Sequence, residues 1–253
     1  MTGTVTELIR HPIKSIGREL LRSVRLEEGR TMPWDRSWAI VHEASGICRE
    51  TRGWRPVQNF TVTARTPGLA AIEASVDVSS GRVRLGHREL GKLDIDPDDE
   101  LDGKRLVDWI RPLVPRGRAQ PVGIYRAGSR GLTDTEFPSV SINSRNSLSE
   151  LSEIAGQDIS LHRWRGNIWV EGFAPREEFA WVGKSIRIGK AELEVVDTIQ
   201  RCEATAADPE TGQRNLATLD LLERNWGHRD FGIYARVTRA GAVSVGDTVT
   251  IAG

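Results

Sequence analysis

The sequence predicts a strand-rich α+β protein. An N-terminal β-barrel-like domain, residues 1–118, precedes a second β-barrel domain with a few short helices, residues 119–253. Three observations predict it. Short runs with period-two alternation dominate the chain. Only three stretches carry a helical period. Segment 115–131, "PRGRAQPVGIYRAGSRG", is rich in Pro and Gly and parts the chain near its middle. At 253 residues the chain is long enough to bury a sizeable core.

Taken in order, the runs 3–9, 36–43, 59–65, 70–76 and 81–86 read as strands in the first half. Next comes "DIDPDDELDG", 94–103, a solvated acidic loop; a calcium loop would need glycine at its sixth position, which is Asp99. It leads into a helix over 102–114, with Asp102 as N-cap and Leu106, Val107, Ile110, Leu113 and Val114 on one face. A second helix spans 144–156: Ser147 and Glu150 have capping-box spacing, and Leu148, Leu151 and Ile154 line a face. Strands follow at 185–189 and 191–199, a leucine-bearing helix at 217–226, and strands at 231–238 and 242–252. The dividing segment reads as a solvated linker, although Arg116, Arg118, Arg126 and Arg130 could also flank the entrance of an anionic ligand.

Composition excludes several classes. Basic and acidic residues balance at 35 each, so no bulk field draws nucleic acid or an acidic membrane. Two distant cysteines, Cys48 and Cys202, make neither a disulfide framework nor a zinc site. No apolar run has the length of a membrane span or a signal peptide. The expectation is a cytoplasmic protein without a membrane or nucleic-acid partner.

Several motifs fail on inspection. Gly183-Lys184-Ser185 lacks the upstream glycine of a phosphate loop, since residue 178 is Glu, and Lys184 reads as an exposed turn residue. The five histidines show no metal-site spacing. Cys202 stands apart. It follows a strand-like run and precedes the turn Asp208-Pro209-Glu210-Thr211-Gly212, and a strand end is where a scaffold presents a reactive group with precision. Arg201 adjoins it, a cation that favours a thiolate if the side chain approaches. Taken alone, an ordinary buried cysteine is the commoner reading. Lys14 and Ser15 follow a strand, and Asp35 and Arg36 stand at a strand entrance; such groups suit a phosphate-bearing ligand.

The ordered set "HPIKS", "DRSWAIV", "DTEFPSVSINSRNSLSEL", "RWRGNIWVEG", "IQRCEATAADPETGQRN" and "VSVGDTV" resembles the MOSC family, nearly end to end. The form here is similar to that with an N-terminal β-barrel domain, as in the mitochondrial amidoxime-reducing component. The resemblance implies that Cys202 is catalytic and ligates molybdenum held by a pyranopterin dithiolene, the molybdenum cofactor (Mo-molybdopterin). It implies that Lys14, Ser15 and Arg36 hold the cofactor, notably its phosphate. Arg165 and Asn167 match the family's Arg-Pro-Asn, and Asp134 and Thr135 match its Asp-Thr pair. Ser144 or Asn143 supplies a further hydrogen bond. Arg201, Thr205 and Asp208 complete the expected cofactor set, and the rigid turn pins the loop that aims Cys202. Cys48 has none of these features and reads as a packed strand residue. Gly166 departs from the usual proline, Gln200 from a Ser, and Ala206-Ala207 from a Thr-Val or similar pair.

What the resemblance implies about activity is a molybdenum-dependent oxidoreductase that reduces small N-hydroxylated substrates. No iron–sulfur domain or membrane anchor is read in the chain, so a separate electron-donor protein of ferredoxin, flavodoxin or cytochrome type is expected. Two alternatives stand beside it. One is a sulfur carrier using a Cys202 persulfide, which needs a sulfur-donating partner because no pyridoxal-phosphate domain is readable. The other is a non-catalytic carrier of the cofactor.

Overall fold

The computed structural model describes residues 2–47 and 51–252. The first half contains β1 (Thr2–Arg10), β2 (Glu19–Leu21), β3 (Ser23–Leu26), β4 (Trp38–His42), β5 (Glu73–Val76), β6 (Val83–His87), β7 (Gly91–Ile95) and helix α1 (Glu100–Ile110). The second contains β8 (Pro121–Arg126), β9 (Val140–Ser144), α2 (Arg145–Ala155), β10 (Ile168–Glu171), β11 (Ser185–Ile188), β12 (Ala191–Gln200), α3 (Thr218–Trp226), β13 (Asp230–Arg239), β14 (Gly241–Ser244) and β15 (Thr248–Ile251).

Seven strands close into a barrel in the order β1-β10-β9-β13-β12-β11-β15, with β15 returning to β1 and β2 pairing outside β1. Only β9 and β10 are parallel. Closure leaves no free sheet edge around the ring. Alternation fills its interior: Val5, Ile142, Ile168, Ile186, Leu193, Val195, Ile233 and Ala235 are all buried in one apolar cluster. The first half thus supplies β1 to the barrel of the second. In return β8 pairs with β4, and β5-β6-β7 form a meander beside α1. A second core of Ile13, Ile16, Trp38, Ile40, Leu69 and Ile110 lies there. No helix among the described residues is long and apolar enough to cross a membrane.

Several elements differ from the sequence reading, each for a local reason. Residues 59–65 are not a strand: a 3₁₀ turn covers Val57–Asn59 and tight turns follow, although Phe60 and Val62 are buried as a strand's alternation would have them. The run 242–252 is two strands, because Asp247 accepts from Ser244 N at 2.7 Å and folds the chain at Val245-Gly246. The N-cap of α1 is Asp99, which accepts from Asp102 N at 2.9 Å; Asp102 is inside the helix, and the last residues form a 3₁₀ turn, Arg111–Leu113. Ser144 caps α2 through Ser147 N at 3.2 Å, so Ser147 lies inside the helix. Leu148 and Leu151 are buried, but Ile154 is exposed. The acidic loop is shortened by β7, which takes Asp94. Segment 115–131 holds β8. Within it Arg126 pairs with Asp98, and Arg130 donates to the carbonyls of Thr135, Glu136 and Phe137; neither reaches the cavity described below. Strands β2, β3, β7, β9 and β10 are too short or too fully buried to show a period. Cys48 lies outside the described residues.

Candidate functional site

Cys202 follows β12 immediately and is exposed. It opens onto a cavity between the outer wall of the barrel and the first half of the chain. Lys14, Ser15, Arg36, Asp134, Arg165, Arg201 and Thr205 line the same cavity. Residues almost two hundred positions apart therefore share one pocket.

The backbone is forced into that arrangement. Five described residues other than glycine have positive φ, and three of them line the pocket: Ser15 at 65°, Arg36 at 50° and Arg165 at 50°. Each costs on the order of 1 kcal/mol, and such outliers gather where the surroundings over-determine them. The determinants are visible. Arg36 N donates to His11 O at 2.6 Å, Leu132 N donates to Arg36 O at 2.8 Å, and His11 N donates to the buried Asp35 Oδ1 at 2.7 Å. Arg165 ends the 3₁₀ turn Leu161–Trp164.

Charge is unbalanced in the pocket. Lys14, Arg36, Arg163, Arg165 and Arg201 line it beside one lining carboxylate, Asp134, while Arg36 is paired behind the wall with Asp35 and Arg163 with Asp208. Burial, then the neighbouring Arg36, pulls the Arg165 pKa down to about 9. Burial pulls that of Arg201 to about 10. Burial also lowers Lys14, although Asp134 opposes it; the ammonium donates to Leu132 O at 2.6 Å and to Asp134 Oδ1 at 2.5 Å. For Arg36, Asp35 and Asp134 outweigh burial and raise the pKa. For Asp134, Lys14 outweighs burial and keeps the carboxyl below its usual range. Burial, then Arg165 and Arg36, push the pKa of the enclosed His11 well below its usual value. Cations crowded this closely out of water are stabilised by an anion among them.

Four expected residues do not line the cavity. Thr135 donates to Phe137 O at 2.7 Å and braces the turn after Asp134. Ser144 is the cap of α2. Asn167 is buried, accepting from Ser141 Oγ at 2.9 Å and donating to Ile9 O at 3.1 Å, so it ties β1 to the barrel. Asp208 holds its own turn, accepting from Glu210 N at 2.8 Å and Thr211 N at 3.0 Å. That turn is fixed on both sides. Gly212 has φ +69°, and a Cβ there would lie 2.7 Å from Gly68 Cα in the first half. Arg163, unnoticed in the sequence, donates to Ala206 O at 3.1 Å, to Asp208 at 3.2 Å and to Asn215 at 2.6 Å. It clamps the loop that carries Cys202. Tyr234 also lines the pocket and was missed. Strand alternation against the buried Ile233 and Ala235 was the signal that could have found it.

Comparison with known proteins decides the relationship. Residues 2–109 match the MOSC N-terminal beta barrel domain, and residues 134–250 match the MOSC domain. The chain belongs to the MOSC domain family. Mitochondrial amidoxime reducing component 2 of Bos taurus is 25% identical, over 98% of this chain and 82% of that protein. Molybdenum cofactor sulfurase of Drosophila ananassae is 24% identical over 87% of this chain, but the match covers 30% of the sulfurase. That of Caenorhabditis briggsae is 36% identical over 53% of this chain and 19% of its own length.

In this MOSC chain Gly166 stands where the resemblance expects proline. A Cβ at 166 would lie 2.8 Å from the Asn143 side chain, so the glycine lets Asn143 pack close. The Asn143 amide then donates to Ile142 O at 3.1 Å and accepts from Arg201 at 3.2 Å. Arg201 does more than adjoin the cysteine. Its guanidinium donates to Trp164 O and Phe231 O, both at 2.7 Å, and lies over the stacked Trp164 and Phe231 rings. No group of three or more His, Cys, Asp or Glu among the described residues could hold a metal ion by itself. The donor set instead fits an anionic organic group carrying a soft metal: clustered cations for the anion, one exposed sulfur for the metal.

Proposed function

We propose that the protein binds the molybdenum cofactor and reduces small N-hydroxylated compounds. The observation that supports this most is the sharing of one cavity by an exposed thiol and a cluster of buried and half-buried cations, two of them, Arg36 and Arg165, on strained backbone. When bound, the cofactor supplies two-electron redox chemistry at a metal that accepts a thiolate ligand. The chain's own groups do the rest. Lys14, Ser15, Arg36 and Arg165 hold the phosphate and pterin by charge-assisted contacts. Cys202 is the protein's ligand to the metal, and Arg163 and the Asp208 turn keep its loop still. The Lys14–Asp134 pair, exposed on its carboxylate side, can hold or pass a proton at Asp134 Oδ1. Electrons come from a separate donor protein.

The test is reduction of benzamidoxime, with reduced methyl viologen as the donor, by protein expressed with added molybdate. Cys202→Ser should lower turnover by at least about a thousandfold, roughly 4 kcal/mol, and leave folding intact. A variant as active as the parent would remove Cys202 from the mechanism. The exposure of Cys202 also favours a second reading, a persulfide carrier. Intact mass decides between them: one extra sulfur on Cys202 without molybdenum supports the carrier.

A further inference from the structure

A second, smaller cavity lies at the seam between the two halves of the chain. Arg18 and Thr63 line it from the first half. His162, Arg163 and Arg165 line it from in and just after the 3₁₀ turn Leu161–Trp164. Arg163 and Arg165 line the larger cavity as well, whereas Arg18, Thr63 and His162 do not. The volume is about 10 Å³, room for one water-sized body. Phosphate, sulfate and carboxylate groups are too large for it. Two polar atoms of the lining residues, Arg163 Nε and His162 Nδ1, are buried and lack a hydrogen-bond partner. Arg163 as a whole is 7% exposed. An arginine Nε always carries a hydrogen, so it is a donor awaiting an acceptor, and leaving it so is costly. Charge points the same way. Three guanidinium groups line the space, and no carboxylate among the described residues does. Arg163 pairs with Asp208 outside it, and Arg18 with the exposed Glu73 and Glu210, pairs that water screens. Arg165 pairs with no carboxylate among the described residues. Burial, then Arg18, pushes the His162 pKa down to about 4, so the imidazole adds no charge of its own at neutral pH. A water could use the Thr63 oxygen here, but it carries no charge to offset three cations.

We propose that this cavity binds one small monovalent anion, a halide of chloride size, held by Arg18, Arg163 and Arg165 where the two halves of the chain meet. The bound ion offsets the repulsion among guanidinium groups contributed by both halves, so it stabilises their apposition. The site stands independently of the reductase reading. The experiment uses the full chain as parent, Arg18→Gln, and the control Arg84→Gln on β6, away from both cavities. Thermal melts compare sodium bromide and sodium chloride with sodium gluconate at equal ionic strength. Crystals of the parent grown in sodium bromide supply an anomalous map. At ten times its Kd the halide should raise the parent Tm by about 3–6 °C over gluconate. Arg84→Gln should keep that shift and Arg18→Gln should lose most of it. Bromide should appear among Arg18, Arg163 and Arg165. No bromide there overturns the proposal, because the cavity then holds an ordered water only. Bromide there without any halide shift in Tm marks an adventitious ion only, and also overturns it. So does bromide confined to the larger cavity beside Lys14 and Arg36, or a shift that persists undiminished in Arg18→Gln. Should Arg18→Gln fail to fold, the anomalous map and the melts of the parent decide alone.

Discussion

Strands β12 and β13 have one face in the barrel and the other toward the candidate site, and the two surroundings differ in almost every respect. Inside, Leu193, Val195, Ile233, Ala235 and Val237 pack with other apolar side chains in regular alternation. Outside and at the strand end lie Gln200, Arg201, Cys202 and Tyr234, among like charges and strained turns. The interior supplies stability through burial. The outer face gives up some of that stability to crowd cations around a thiol. A one-residue step along the strand, from Ile233 to Tyr234, separates the two regimes, so each can be perturbed alone.

The largest expected effect breaks the inner face. Ile233→Ala should cost about 2–5 kcal/mol in urea unfolding, from lost transfer energy and the cavity left behind. Molybdenum per folded chain should hardly change. A smaller loss than about 1 kcal/mol would mean that the barrel core relaxes around the gap, and that the packing described for it is looser than it looks.

A second perturbation concerns a carboxyl buried away from the candidate site, in the 3₁₀ turn Glu177–Trp181. Glu178 is buried and accepts from Ser147 Oγ at 2.8 Å, and burial raises its pKa from 4.5 to about 7. The folded state therefore holds a proton that the unfolded chain releases near pH 4.5. Stability contributed by that proton is present below pH 4.5 and is lost as pH rises through about 7. Glu178→Gln should accordingly gain on the order of 2–3 kcal/mol at pH 8, and almost nothing at pH 4.5. Thermal melts at the two pH values check it; an equal effect at both would assign the gain to packing.

The smallest effect sharpens the outer face. Ser15→Gly relieves a positive φ but removes a hydroxyl from the pocket. The cofactor-free protein should gain about 0.5–1 kcal/mol, the strain relieved less the entropy glycine adds to the unfolded chain. Molybdenum content should fall. If both move in the same direction, backbone strain at residue 15 has no part in holding a ligand.

The same contrast explains what the sequence could reveal. The barrel strands β1, β11, β12 and β13 were legible because one face is apolar and the other polar. Strands β9 and β10 were not, since β9 is buried on both faces and β10 nearly so, and neither shows a period. The strand read at 59–65 had the right burial for Phe60 and Val62 but not the backbone, because alternation does not distinguish a strand from successive tight turns. At the site, Cys202, Lys14, Ser15, Arg36 and Arg165 were found through their motifs and do meet in one cavity. Thr135, Ser144, Asn167 and Asp208 belong to the same motifs yet brace turns, a cap and a strand junction. Motif spacing does not separate a residue that touches a ligand from one that holds its neighbour in place. Arg163 was hidden for the converse reason. Its partners are carbonyls and side chains about forty to fifty residues downstream, which no local pattern announces.

The most direct measurement is X-ray absorption at the molybdenum edge, on the parent protein and on Cys202→Ser, each expressed with added molybdate. The account predicts bound molybdenum in the parent, with one sulfur neighbour more than in the variant. A parent without molybdenum, or an identical sulfur shell in both proteins, would contradict it.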